Sequence, residues 1–333
     1  MYELLGISLF LATLILLNAL ASLAAALIWR LFAPLLRPIS ATVRADLLFM
    51  LRVGAPILAT LVVIGLLIPS YLSYEPRVTS ETVSIKLAAL AILSAASVAF
   101  ALWRMIRSWK ATASLRRQWL AAAKPIELPG INIPAFRIRH RFPIIAIVGT
   151  VRPKLFIADN VLLALSPDEL AAAIAHECGH LSARDNLKRT LLRICRDSLL
   201  LVPLGGTVER VWAETAESAA DEFAAQQSPA MALNLASALV QVAKMVPVGA
   251  RADVPLGAYL VGVEETQGVK ARIRRLIEIS SNRGTVTERL WLVRILPAAT
   301  LGALILSSAL AASNAHILMK VHDLAEHAVS MLS

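Results

Sequence analysis

The chain has 333 residues, of which 57% are hydrophobic and only 17% charged, and it carries a net charge of +10. Soluble domains carry about 25% charged residues, so this composition argues against an ordinary water-soluble protein. Aromatics make up 5% of the chain, too few for a base-stacking platform, and with the placement of the cations this argues against a nucleic-acid partner.

Four uncharged runs approach the 17–25 residues that a membrane-crossing helix needs: Leu4–Trp29, Val53–Leu72, Leu87–Trp103 and Ile295–Ala312. The last two are short and rich in Ala and Ser, so a buried core helix is the competing reading for each. The start, Met-Tyr-Glu, lacks the basic segment of a secretory leader, and its apolar run is too long for one. It reads as a retained anchor.

The cations follow the runs. Arg30, Arg37 and Arg44 come after the first. Arg104, Arg107, Lys110, Arg116, Arg117 and Lys124 come after the third. Lys270, Arg272, Arg274, Arg275, Arg283, Arg289 and Arg294 precede the fourth. The loop 73–86 is balanced. Lys and Arg concentrate on the cytoplasmic side of membrane proteins. The N-terminus is therefore expected outside, residues 105–290 inside, and the tail outside. Anionic lipid would hold the basic belt near the bilayer.

Pro125, Pro129, Gly130 and Pro134 break the chain into a linker. Three short extended runs follow, Phe136–His140, Ile144–Val148 and Lys154–Ala158, with a turn at Arg152-Pro153. They predict a small antiparallel sheet, to which an extended substrate could add a strand.

Ser166-Pro167-Asp168-Glu169 predicts a helix start with a capping box. The Ala-rich helix that follows carries His176-Glu177-Cys178-Gly179-His180. On a helix the two histidines share one face and can grip one metal ion, and Glu177 can reach a water there. This is the core arrangement of a zinc peptidase. Cys178 is turned about 200° from each histidine and reads as a core residue. The other cysteine, Cys195, has no partner pattern. Gly179 costs about 1 kcal/mol relative to Ala within a helix, which a close packing contact would explain. Thr190–Gly206 is apolar but interrupted by Arg193, Arg196 and Asp197, and reads as a helix at the membrane surface or under the site, ended by Pro203-Leu204-Gly205-Gly206. Glu209–Gln227 reads as another Ala-rich helix.

A catalytic zinc takes three protein ligands and keeps one position open. The chain has six histidines, and His316, His322 and His327 fall in the tail across the membrane. The candidates for the third ligand are His140, Glu209, Glu214, Glu217, Asp221 and Glu222. Glu217 and Asp221 lie four apart on one helical face, so one can bind the ion while the other orients a ligand imidazole.

His176-Glu177-x-x-His180 followed by Glu217-x-x-x-Asp221 resembles a gluzincin. Within that clan the chain resembles integral-membrane metallopeptidases of the BlaR/MecR type, whose relatives are the HtpX and CAAX-prenyl endopeptidase group. Supporting residues are Pro143, Gly149, Arg152-Pro153, Leu165 to Leu170 and Asp185, five past His180. The resemblance implies that His176, His180 and Glu217 bind zinc. It also implies that Glu177 is the catalytic carboxylate, that Asp221 supports a histidine, and that Asp185 is a further structural or supporting residue. The penicillin-binding domain that the sensing transducers carry after their last span has no counterpart in the residues after 312. A proline that those families often carry after the strand is Asp159 here.

The expected fold is mainly α, a multi-pass membrane protein of about four transmembrane helices. A cytoplasmic α+β zincin domain is inserted between the third and fourth. The expected division is 1–106 (three spans), 107–290 (peptidase), 291–313 (fourth span) and 314–333 (short external tail). The expected activity is zinc-dependent cleavage of protein or peptide substrates at a bacterial inner membrane, for repressor cleavage or membrane-protein quality control. A catalytically silent zinc-containing scaffold or sensor competes with it, against which stands the intact Glu177.

Overall fold

The computed structural model describes residues 1–77, 83–128, 131–150, 152–199, 205–246, 266–281 and 290–332. The expected linker residues Pro129 and Gly130, the expected stop Pro203-Leu204 and the basic residues Arg283 and Arg289 lie outside these.

Among the described residues, three helical stretches are long and apolar enough to cross a membrane: Tyr2–Phe32, Ala41–Tyr74 and Ile85–Ala122. The first is helix α1. The second is α2 (Ala41–Val62), a π-helical turn (Val63–Leu67) and α3 (Ile68–Tyr74) in continuous sequence. The third is α4. Ser40 and Ser84 cap α2 and α4 by accepting hydrogen bonds from the Val43 and Leu87 amides. The faces turned inward are rich in small residues: Gly6, Ser8 and Ala12 on α1, and Ala91, Ser94, Ser97 and Ala101 on α4. Small residues let apolar helices approach where lipid removes the hydrophobic drive. Large apolar residues such as Leu20, Leu27, Ile92 and Leu102 face outward.

α4 leads directly into a small sheet. Strands β1 (Lys124–Ile126), β2 (Ala135–Ile138), β3 (Ile145–Val148) and β4 (Lys154–Ala158) form one sheet in the order β1-β2-β4-β3. The sheet is mixed, which corrects the antiparallel expectation: β2 runs parallel to β4, with Ala135 opposite Leu155. The tight turn at Gly149, whose φ is +111°, folds β3 back on β4, so β4 has only its far side left for β2. β1 falls in the stretch read as a linker. It pairs with β2 through Pro125, which the sheet edge tolerates.

Behind the sheet lie α5 (Asp159–Ala164), α6 (Pro167–Ser182), α7 (Asp185–Asp197), α8 (Gly205–Ala225), α9 (Pro229–Met245) and α10 (Thr266–Ser281). The core joins Ile144, Leu155 and Phe156 of the sheet region to Ala172 and Ala173 of α6, Leu235 and Leu239 of α9, and Leu276 of α10. α7 ends at Asp197 and α8 begins at Gly205, so Gly205-Gly206 opens a helix rather than closing one.

α7 is bolted to the long helices. Arg52 of α2, buried, donates to the Cys195 carbonyl (2.6 Å) and to Ser22 of α1 (2.9 Å). Lys188 pairs with Asp46 of α2 at 2.6 Å, and Asp197 with Arg104 of α4 at 3.3 Å.

Beyond α10, α11 (Leu290–Ala312) covers the fourth apolar run. The tail is a further helix, α12 (Ala315–Leu332), turned 90° from the end of α11. Counting that bent pair as one span raises the candidate spans to four.

Candidate metal centre

Helix α6 starts as the sequence predicts. The Ser166 hydroxyl accepts from the Glu169 amide, and the Glu169 carboxylate accepts from the Ser166 amide. Two turns on, His176 and His180 stand with ring centroids 4.8 Å apart and planes perpendicular.

Both rings turn Nε2 toward one carboxylate. Glu217 Oε2 lies 3.5 Å from His176 Nε2, and Glu217 Oε1 lies 3.5 Å from His180 Nε2. Both rings turn Nδ1 the other way, each onto an aspartate: His176 to Asp221 at 3.0 Å and His180 to Asp185 at 2.7 Å. Ligand atoms of His176, His180 and Glu217 all lie within 4.8 Å of one another. Ligands about 2.0–2.2 Å from a shared tetrahedral ion sit about 3.3–3.6 Å apart, so this donor set fits zinc. The aspartates complete the fit, since a ligating imidazole donates its other N–H to an oxygen.

The other candidates for third ligand are engaged elsewhere. His140 Nδ1 accepts from the Phe142 amide. Glu209 pairs with Arg196, and Glu222 accepts from the Ala41 amide and pairs with Arg275. Glu214 is exposed. Cys178 is half-buried and packs against the apolar core.

Gly179 has a structural reason. A Cβ there would lie 3.0 Å from the Ala220 Cα and 3.2 Å from the Phe223 Cβ, so α6 and α8 meet backbone to backbone. This approach sets α8, and with it Glu217 and Asp221, against the histidines. Gly179→Ala would gain about 1 kcal/mol of helix propensity but costs about 1–3 kcal/mol in overpacking. We expect thermal unfolding of the variant a few degrees lower and zinc bound about tenfold more weakly, measured by calorimetry and competitive zinc titration.

Sequence reasoning missed Arg272 of α10, which it counted with the basic belt. Arg272 donates to both oxygens of Asp221 (2.9 and 2.7 Å) and lies 3.1 Å from Glu217. Its cation balances two carboxylates that burial would otherwise penalise. The signal available was its spacing from Val269 and Leu276, which places it on the inner face of α10.

It also missed Asn186. In the β3–β4 ladder the Ala158 amide bonds the Ile144 carbonyl, so Ile147 aims its own N–H and C=O at the open edge. Asn186 donates to that carbonyl at 3.0 Å, and Glu177 accepts from that N–H at 3.4 Å. A cleft beside the histidines is lined by Ile147, Glu177, His180, Asn186, Arg189 and Glu217.

The electrostatics follow from burial and crowding. Burial is the largest influence on Glu177 and raises its pKa against the pull of the two imidazoles. Burial opposes charge on His180, but Glu217 and Asp185 outweigh it and raise its pKa to about 10. His176 is raised in the same way by Asp221 and Glu217. Burial also opposes charge on Glu217 and Asp221. Glu217 is nonetheless held well below the usual carboxylate range, mainly by His180 and Arg272. Arg272 and His176 bring Asp221 to about 2.

Comparison with curated proteins gives no match. The model of peptidase family M48 matches residues 110–279, from the end of α4 through α10. That stretch spans half of the chain and carries the two histidines, Glu177, Glu217, Asp221 and Arg272. The chain therefore belongs to peptidase family M48, and its function is that of a metallopeptidase.

Proposed function

We propose that this protein is a membrane-bound zinc endopeptidase that cleaves membrane-proximal protein substrates, with its site on the cytoplasmic side. The carrying observation is the single Glu217 carboxylate 3.5 Å from both His176 and His180 Nε2, with buried Glu177 next to His176 in sequence.

A zinc ion held by His176, His180 and Glu217 supplies a Lewis acid for the scissile carbonyl and acidifies water. The protein's own groups do the rest. Asp221 and Asp185 accept from Nδ1–H of His176 and His180 and so keep both Nε2 lone pairs free. Glu177 takes the proton of the attacking water and passes it to the leaving amine. Arg272 holds Glu217 and Asp221 in register. An extended substrate would add to the edge of β3 by taking the Ile147 C=O and N–H from Asn186 and Glu177.

The cations after the first and third apolar helices support a cytoplasmic peptidase half, with α11 as a fourth span. The likeness to BlaR/MecR-type proteins supports repressor cleavage, and the likeness to the HtpX group supports trimming of membrane proteins. Products trapped on an inactive variant would separate them.

The test uses the full chain purified in detergent. We expect His176→Ala to lower bound zinc by about one ion per chain and to abolish chelator-sensitive cleavage of an unfolded protein such as casein. Unchanged zinc content, or cleavage that survives chelation, would end this reading.

The raised pKa values of the metal-free imidazoles add a pH expectation. Below its folded pKa of about 10, His180 carries a proton that zinc must displace. Zinc uptake at neutral pH should therefore release protons, seen as a calorimetric heat that changes with buffer ionisation enthalpy. Uptake should weaken as pH falls.

A further inference from the structure

We propose that Asn186 and Glu177 stand in for one residue of a bound strand, and that Asn186 thereby selects extended substrates with a free backbone N–H. The proposal rests on the zinc-peptidase reading and names the substrate class of that same site.

The edge of the sheet supplies the reason. β3 is an outer strand, yet Ile145 and Ala146 are fully buried and Ile147 is 5% exposed. Buried main-chain groups need partners, and a bare edge pairs with any chain that reaches it. In an antiparallel pair, one residue exchanges both its N–H and its C=O with the residue opposite. Asn186 supplies the donor for the Ile147 carbonyl at 3.0 Å, and Glu177 supplies the acceptor for the Ile147 N–H at 3.4 Å. Two side chains from two helices therefore occupy the places of one substrate residue's main-chain groups.

Side chains can yield those places. Each leaves by rotation about its own bonds, which a neighbouring strand cannot do. Asn186 is half-buried and lines the same cleft as Ile147, Glu177, His180 and Glu217, so a segment laid on β3 passes the metal centre. The frame around it is fixed. A left-handed turn at Arg184 (φ +56°) leads from α6 into α7. Asp185 then holds His180 at 2.7 Å, and Lys188 is tied to Asp46. Displacement moves the carboxamide and leaves the metal ligands in place.

An incoming N–H takes the Ile147 carbonyl from Asn186. The carbonyl of the same substrate residue takes the Ile147 N–H from Glu177 and frees that carboxylate for water. Pairing and chemistry are thereby linked. Proline has no N–H to offer, and a helical segment has its N–H groups bonded internally, so neither displaces Asn186. The favoured substrate is an unfolded or strand-like stretch of protein.

Full-length wild type and Asn186→Ala, in detergent and stripped of metal, are titrated with a fluorescein-labelled casein peptide of about ten residues, enough for one strand. Loss of one competing hydrogen bond should tighten binding about three- to tenfold. Methylating the one peptide nitrogen that meets Ile147 should abolish this gain, and methylation elsewhere should preserve it. With zinc bound, the change should fall on KM rather than on kcat, at equal zinc content. A structural role for Asn186 would instead lower kcat or zinc content and would ignore single peptide nitrogens. Asn186→Leu, close in size and without a donor, repeats the series in case alanine loosens α7. Equal affinity, no binding by either protein, a gain indifferent to methylation, or failure of both variants to fold overturns the proposal. Tighter binding that a single methylation abolishes, without cleavage by any zinc-loaded form, would end the peptidase reading and leave the strand stand-in intact.

Discussion

Glu177→Gln should bind as much zinc as the wild type and yet cleave a peptide substrate about 10²–10⁴-fold more slowly. The exchange keeps shape and removes only the capacity to carry a proton. Glu177 is buried and reaches the Ile147 amide at 3.4 Å, so a glutamine can occupy the same space. Neither His176 nor His180 depends on it for orientation, since Asp221 and Asp185 perform that task. Zinc content, measured by elemental analysis, therefore separates the proton carrier from the ligands. Cleavage at the wild-type rate would remove Glu177 from the mechanism. Loss of zinc together with activity would make it a structural support instead.

The second large effect is expected at Glu217. Glu217→Gln removes a carboxylate that faces both imidazoles, and it takes one carboxylate away from Arg272 while Asp221 stays. Changing an outer group around a metal costs about 10–100-fold in affinity, so loss of a ligand should exceed 100-fold. Cleavage should fall with it and return in part at high zinc. Glu214→Gln on the same helix, at an exposed position, is the control and should change neither quantity. A Glu217→Gln protein that holds zinc as tightly as the wild type would mean that another residue closes the site. Its failure would differ in kind from that of Glu177→Gln, where the ion stays and the chemistry stops.

These residues were legible because helical spacing is local. Four-residue separations put His176 over His180 and Glu217 over Asp221, and the capping box at Ser166 fixed where the first helix begins. The cost of Gly179 pointed to a close contact, and α8 supplies it at Ala220. What local spacing does not encode is the meeting of distant segments. Arg272 reaches Asp221 across 51 positions, and its neighbours Arg274 and Arg275 made it look like one more surface cation. The parallel pairing of β2 with β4 depends on which side of β4 the hairpin through Gly149 leaves free, and no single strand carries that information. The tail helix was different. Leu318, Val321, Ala325 and Val329 recur at helical intervals, so the pattern of a packed helix was present in the stretch expected only as a short external tail.

The ties of α7 to the long helices have a mechanical consequence. Asp185, which steers His180, is the first residue of a rod whose other end is fastened by Arg52 and Arg104. Lys188, one turn along, is fastened to Asp46. Arg52, Asp46 and Arg104 of the long apolar helices thereby belong to the framework that positions an imidazole of the metal centre, so those helices do more than anchor it.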